Sequence, residues 1–191
     1  MMKYTSKEIY TLSNFLSFSR LLLAVPLWIL MNNLNYGSTR IIVLVLCLFG
    51  ALTDILDGYF ARRNNQVTEV GKIIDPLADK IAIAVVMIKL MVIGDIPVYF
   101  FIMVIARDFL ILFGGIIVSK KLGRILPSNV LGKITVISIG IVIILVLLNI
   151  NEFNPLFMTF YYLSIFLIFV SLIGYFIRAK EFLTKKNYGS I

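Results

Sequence analysis

Two neighbouring stretches decide how this chain is read: Gly50-Ala-Leu-Thr-Asp54-Ile-Leu-Asp57-Gly58-Tyr-Phe-Ala61-Arg62, and Gly71-Lys-Ile-Ile-Asp75-Pro-Leu-Ala78-Asp79-Lys80. Each joins two aspartates to a long apolar run. At 100° per residue, Gly50, Asp54, Asp57, Gly58 and Ala61 fall within about 100° of one helical face. Gly71, Asp75, Ala78, Asp79 and Ala82 share a face in the same way. Both acidic faces are otherwise lined by Gly and Ala, which let two backbones, or a backbone and a ligand, approach closely.

The surroundings show why this is unusual. The chain has 191 residues, is 60% hydrophobic and has a mean hydropathy of +0.99. Soluble domains are about 45–50% apolar, so the excess implies lipid as solvent. A hydrocarbon core about 30 Å thick needs about 20 apolar residues per helix. Six segments qualify: 13–32, 40–61, 73–93, 97–118, 130–149 and 155–177. The expected fold is an all-α integral membrane domain over 1–191, with six transmembrane helices and a short interfacial helix at 3–11. Met1–Tyr10 is polar and no small-residue cleavage site follows the first apolar run, so no cleavable signal peptide is expected.

Charge placement orients the spans. The formal net charge is +8. Lys3, Lys7 and Arg20 flank the first span. Arg62, Arg63, Lys72 and Lys80 border the second connection, Lys120, Lys121, Arg124 and Lys133 the fourth, and Arg178, Lys180, Lys185 and Lys186 the tail. On the opposite side only Arg40 lies in a loop. The positive-inside rule then places both termini in the cytoplasm. No nucleic-acid motif accompanies the basic residues, and none is expected as a partner. Trp28 reads as an interfacial anchor.

Several chemistries are excluded. There is no histidine and one cysteine, Cys47. Histidine-based triads, His-ligated zinc and an intrachain disulfide are therefore ruled out. Any general base is Asp, Glu, Lys, Tyr or that cysteine. An aspartate at the bilayer centre costs about 2.5–3.5 kcal/mol on insertion scales. Four facing carboxylates would repel one another unless cations lay between them. Hard oxygen ligands select Mg²⁺, Mn²⁺ or Ca²⁺ over zinc or copper, and two such ions close together can hold a diphosphate. The bland alternative places the four acids wet at the cytoplasmic edge, paired with Arg62, Lys72 and Lys80.

The spacing Asp54-x2-Asp57-Gly58-x2-Ala61-Arg62-x8-Gly71-x3-Asp75-x3-Asp79 resembles, without a gap, the signature of the CDP-alcohol phosphotransferase family. Asn14-x2-Ser17-x2-Arg20 is similar to that family's element at the start of its first span. The resemblance implies six transmembrane helices, a homodimer, an active site open to the cytoplasm of a prokaryotic cell membrane, and two divalent ions, Mg²⁺ or Mn²⁺. It implies Asp54, Asp57 and Asp75 as metal ligands, and Asp79 as both a ligand neighbour and the general base. Asn14, Ser17, Gly58, Ala61, Arg62, Thr68 and Gly71 would accommodate the CDP-linked donor. The implied reaction moves a phosphatidyl group from CDP-diacylglycerol to an alcohol and releases CMP.

The acceptor is read from bases around the fourth and fifth spans. Lys120 and Lys121 are accounted for by topology. Arg107 lies inside an apolar span beside Asp108, where it is either an intramembrane ion pair or a clamp for the acceptor's phosphate. Arg124 and Lys133 are further phosphate candidates, and Lys133 follows Gly132 near the start of its span. A cationic pocket favours a phosphorylated alcohol. The resemblance leans toward members that use glycerol 3-phosphate and make phosphatidylglycerol phosphate. This chain departs from them after Lys133, and has Ser13 where they carry proline. Phosphatidylglycerol, serine and inositol phosphate are the alternative acceptors. A cation transporter using the aspartates is the rival class, and the missing inverted repeat counts against it.

Overall fold

A computed structural model describes residues 22–34, 37–63, 71–122 and 130–188; for 54–63, 71–80, 82, 119–122 and 185–188 it describes the backbone alone. The expected interfacial helix at 3–11 and the first part of the 13–32 span lie outside these residues. Among the described residues all regular structure is helical. In chain order the elements are α1 (Leu22–Asn33, its last turn Met31–Asn33 being a 3-10 helix), α2 (Gly37–Arg63), α3 (Gly71–Val92), α4 (Val98–Leu122), α5 (Val130–Leu147) and α6 (Pro155–Tyr188).

Within α4, α5 and α6, Val98–Val118, Val130–Leu147 and Pro155–Thr184 are long and apolar enough to cross a membrane. Leu22–Asn33, Gly37–Thr53 and Ile83–Val92 are shorter apolar helices. The expected sixth span ended at 177, but α6 runs unbroken to Tyr188. Residues 178–186 (Arg-Ala-Lys-Glu-Phe-Leu-Thr-Lys-Lys) contain no Gly or Pro, and most are good helix formers. The basic tail thus continues the helix.

The chain divides into two compact units, Met1–Gly94 and Asp95–Ile191. In the first, α2 and α3 both pack on the Met31–Asn33 turn. Met31, Leu34, Val43, Met87 and Leu90 are buried there. At the C-terminal end of α3, the Lys89 ammonium lies 3.9 Å from the centroid of the Trp28 ring and donates to Asn32 Oδ1. A cation in the last turn of a helix is also favoured by the helix dipole. Trp28, read from sequence as an interfacial anchor, thus holds α1 to α3.

The second unit is built on α6, which packs against both α4 and α5. Thr135, Ser138, Ile139, Val142, Leu145 and Val146 form the buried stripe of α5. Phe157, Tyr161, Ser164, Ile168 and Ser171 form the matching stripe of α6. Both follow three- and four-residue steps, and small hydroxyl residues recur at the contact, as in helices packed within lipid. Three of these hydroxyls are occupied locally: Thr135 Oγ1 donates to Leu131 O at 2.7 Å, Ser164 Oγ to Tyr161 O at 2.7 Å, and Ser171 Oγ to Ile168 O at 2.9 Å, while the buried Ser138 hydroxyl has no partner among the described residues. The opposite faces, with Phe109, Phe113, Phe166, Phe169 and Phe176, are exposed and apolar, as lipid contact requires.

The α5–α6 turn is closed by its own bonds. Asn149 takes φ +56°, and the amides of Asn149 and Ile150 donate to Val146 O and Leu145 O at 2.9 and 3.0 Å. This is a Schellman ending, with Asn in the place glycine usually takes. Asn154 Oδ1 then accepts from the Leu156 amide at 2.9 Å and caps α6, whose first residue is Pro155.

Candidate active site

The four aspartates fall at facing ends of consecutive helices in sequence. Asp54, Asp57, Gly58, Ala61 and Arg62 occupy the last turns of α2, and Gly71, Asp75 and Asp79 the first turns of α3. Residues 64–70 separate the two helices. The helical backbone fixes the register that the sequence implied. Asp54 and Asp57 are three apart and Asp75 and Asp79 four apart, so each pair shares a face of its helix. Thr53, just before the first aspartate, turns its hydroxyl back to Gly50 O at 2.8 Å. Asn14, Ser17, Thr68 and Arg124 lie outside the described residues.

The donor set fits hard divalent ions: four carboxylates, no soft ligand, and small residues on the same faces. Among the described side chains, no group of three or more acidic or cysteine residues comes together.

The acceptor candidates lie in the second unit. Arg107 is buried, with 4% of its surface exposed. Its Nη1 donates to Asp108 Oδ1 at 2.7 Å, Nη2 to Gly132 O at 3.1 Å, and Nε to Ser171 Oγ at 3.4 Å. The ion pair with Asp108, one of the two sequence readings, is therefore formed. The same guanidinium also ties α4 to α5 and α6. Lys133, next to Gly132, is exposed and makes none of these bonds. The structure thus brings Arg107 to the Gly132–Lys133 segment through the glycine carbonyl.

Sequence reasoning missed Ser171 and the role of the Gly132 carbonyl. A signal was present: Ser164 and Ser171 are seven residues apart in residues 160–177, a stretch that is otherwise aliphatic, aromatic or glycine. It also missed the contact of Tyr175 with Gly114 and Gly115. A Cβ on those glycines would stand 3.1 Å from Tyr175 Cε1 and 3.2 Å from Tyr175 Oη respectively. The Tyr175 hydroxyl is buried and has no hydrogen-bond partner among the described residues.

Compared with known proteins, residues 10–174 match the family model described as CDP-alcohol phosphatidyltransferase. The chain is 35% identical over 180 residues to the CDP-diacylglycerol–glycerol-3-phosphate 3-phosphatidyltransferase of Aquifex aeolicus (strain VF5), covering 91% of this chain and 98% of that protein. It is 34% identical over 142 residues to the protein of the same name from Treponema pallidum (strain Nichols), covering 64% and 66%. It is 38% identical over 90 residues to that of Bacillus subtilis (strain 168), covering 47% and 46%.

Proposed function

As the chain belongs to the CDP-alcohol phosphatidyltransferase family, we propose that it transfers the phosphatidyl group of CDP-diacylglycerol to glycerol 3-phosphate, giving phosphatidylglycerol phosphate and CMP. One observation carries this reading: an uninterrupted eight-position motif, with its acids on two consecutive helices, inside a chain aligned over 98% of a relative named for that reaction. The same relatives favour glycerol 3-phosphate over phosphatidylglycerol, serine or inositol phosphate, and phosphatidyl transfer over cation passage.

The chemistry follows from the side chains. Two divalent ions held by Asp54, Asp57, Asp75 and Asp79 would offset the charge of the donor's pyrophosphate and polarise its phosphorus. Arg62 adds charge-assisted bonds to a phosphate. Gly58, Ala61 and Gly71, with Asn14, Ser17 and Thr68, accommodate the CDP moiety. Asp79 accepts the proton of the incoming hydroxyl, since the chain has no histidine to do so. The hydroxyl oxygen bonds to the phosphatidyl phosphorus, and the bond to the CMP oxygen breaks with its electron pair leaving on CMP. No covalent enzyme intermediate is formed. Arg107, Arg124 and Lys133 are assigned to the acceptor's phosphate. The donor's acyl chains stay in the bilayer, which accounts for an active site built in a membrane protein.

The proposal extends to the whole molecule. Both units act as one membrane domain of six spans, supported by a family match that runs through both. Both termini and the active site face the cytoplasm of a bacterial membrane, as the basic loops indicate. By resemblance the protein is a homodimer. The test is CMP release by the purified protein with CDP-diacylglycerol, Mg²⁺ or Mn²⁺, and each candidate alcohol in turn. Release with glycerol 3-phosphate alone is expected; release only with another alcohol would reassign the acceptor.

A further inference from the structure

We propose that Gly132 and Ser171 are positioning residues that fix the Arg107 guanidinium for the phosphate of the acceptor. The inference rests on the reading that Arg107 meets that phosphate.

A guanidinium carries five N–H donors and no acceptor. Arg107 uses Nε–H on Ser171, one Nη1–H on Asp108 and one Nη2–H on Gly132. One N–H on each terminal nitrogen is left without a partner among the described residues. A purely structural arginine this deeply buried would be expected to satisfy all its donors. The unused pair, one per nitrogen, suits the bidentate bonding that guanidinium makes with phosphate oxygens.

The three partners differ in kind. Asp108 supplies the counter-charge that a buried cation needs. Gly132 and Ser171 are neutral, and what they contribute is orientation. Ser171 gives its own hydroxyl proton to Ile168 O, so its oxygen lone pair is what Arg107 meets. Gly132 offers a backbone carbonyl, which cannot rotate away. It also has no side chain where one would intrude: a Cβ there would stand 3.3 Å from Arg107 Nη2. These contacts come from two helices other than the arginine's own, so a long side chain with many rotamers is held in one before the acceptor arrives. Ordering it in advance removes that cost from binding.

The test uses the full-length protein in detergent with CDP-diacylglycerol, the divalent ion and glycerol 3-phosphate. Gly132→Ala is expected to raise the KM for glycerol 3-phosphate about tenfold, with the KM for CDP-diacylglycerol and kcat little changed. Ser171→Ala is expected to raise it roughly threefold, because the bond it removes is long, and Ser171→Thr to restore it. Unchanged KM for glycerol 3-phosphate in both variants would overturn the proposal. So would equal rises in both KM values alongside a lower melting temperature, which is the signature of packing alone. If Gly132→Ala does not fold, the Ser171→Ala and Ser171→Thr pair decides. Arg107→Gln separates the two layers. If it leaves the KM for glycerol 3-phosphate unchanged, the assignment of Arg107 falls and the inference falls with it. If it raises that KM while the other variants do not, only the inference falls.

Discussion

The ring of Tyr175 on α6 lies where it would crowd a side chain on Gly114 of α4, with 3.1 Å between Cε1 and the position a Cβ would take. The two helices approach closely because this position, and Gly115 after it, carry no side chain. Gly114→Ala should therefore force the ring aside and destabilise the fold by about 1–3 kcal/mol. Gly140→Ala in α5, where nothing lies within 4 Å of the added carbon, should be neutral or stabilise by about 0.5–1 kcal/mol. Thermal unfolding in detergent distinguishes the two, and an equal response at both sites would count against the close packing of α4 and α6.

Asp108 is the counter-ion of a buried guanidinium and is itself partly exposed. Asp108→Ala should leave Arg107 charged and uncompensated, and lower stability by about 2–3 kcal/mol, below the full cost of breaking a deeply buried pair. The double variant Asp108→Ala with Arg107→Met should recover part of that loss. A double-mutant cycle with no coupling would show that the pair does not stabilise the fold.

Asp57→Asn and Asp79→Asn should each abolish CMP release while the protein inserts and melts as the parent does. Removing divalent ions with a chelator should silence the parent, and Mg²⁺ or Mn²⁺ should restore it, because four carboxylates without cations repel one another. Full turnover by purified Asp79→Asn would remove the assigned base.

Asn149 holds φ +56°, a region costly for residues with a branched or bulky side chain. Asn149→Gly should be tolerated, and Asn149→Val should cost about 1–2 kcal/mol by straining the end of α5. Comparative melting of the two variants checks this.

The aspartate register was legible in the sequence because helical spacing turns acids three and four residues apart into shared faces, and the backbone over these residues is helical. Helix existence and position were legible as well: apolar runs of about 20 residues leave little choice. What could not be read was how Arg107 is satisfied. Its partners lie 25 and 64 residues away and are a carbonyl and a serine. Neither has a sequence signature of its own. The unbroken extension of α6 was missed for a different reason. Charge marks where a helix leaves the hydrocarbon, but it does not mark where the helix ends, and Arg178 to Lys186 do the first without the second.

The connector from Leu148 to Asn154 makes its described hydrogen bonds with groups at the ends of the two helices it joins and with its own Asn151. The hairpin of α5 and α6 therefore has all it needs for closure once its second arm has been synthesised, and it can enter the bilayer as a finished pair. α4 meets the same pair through Arg107, which bonds to Gly132 on α5 and Ser171 on α6.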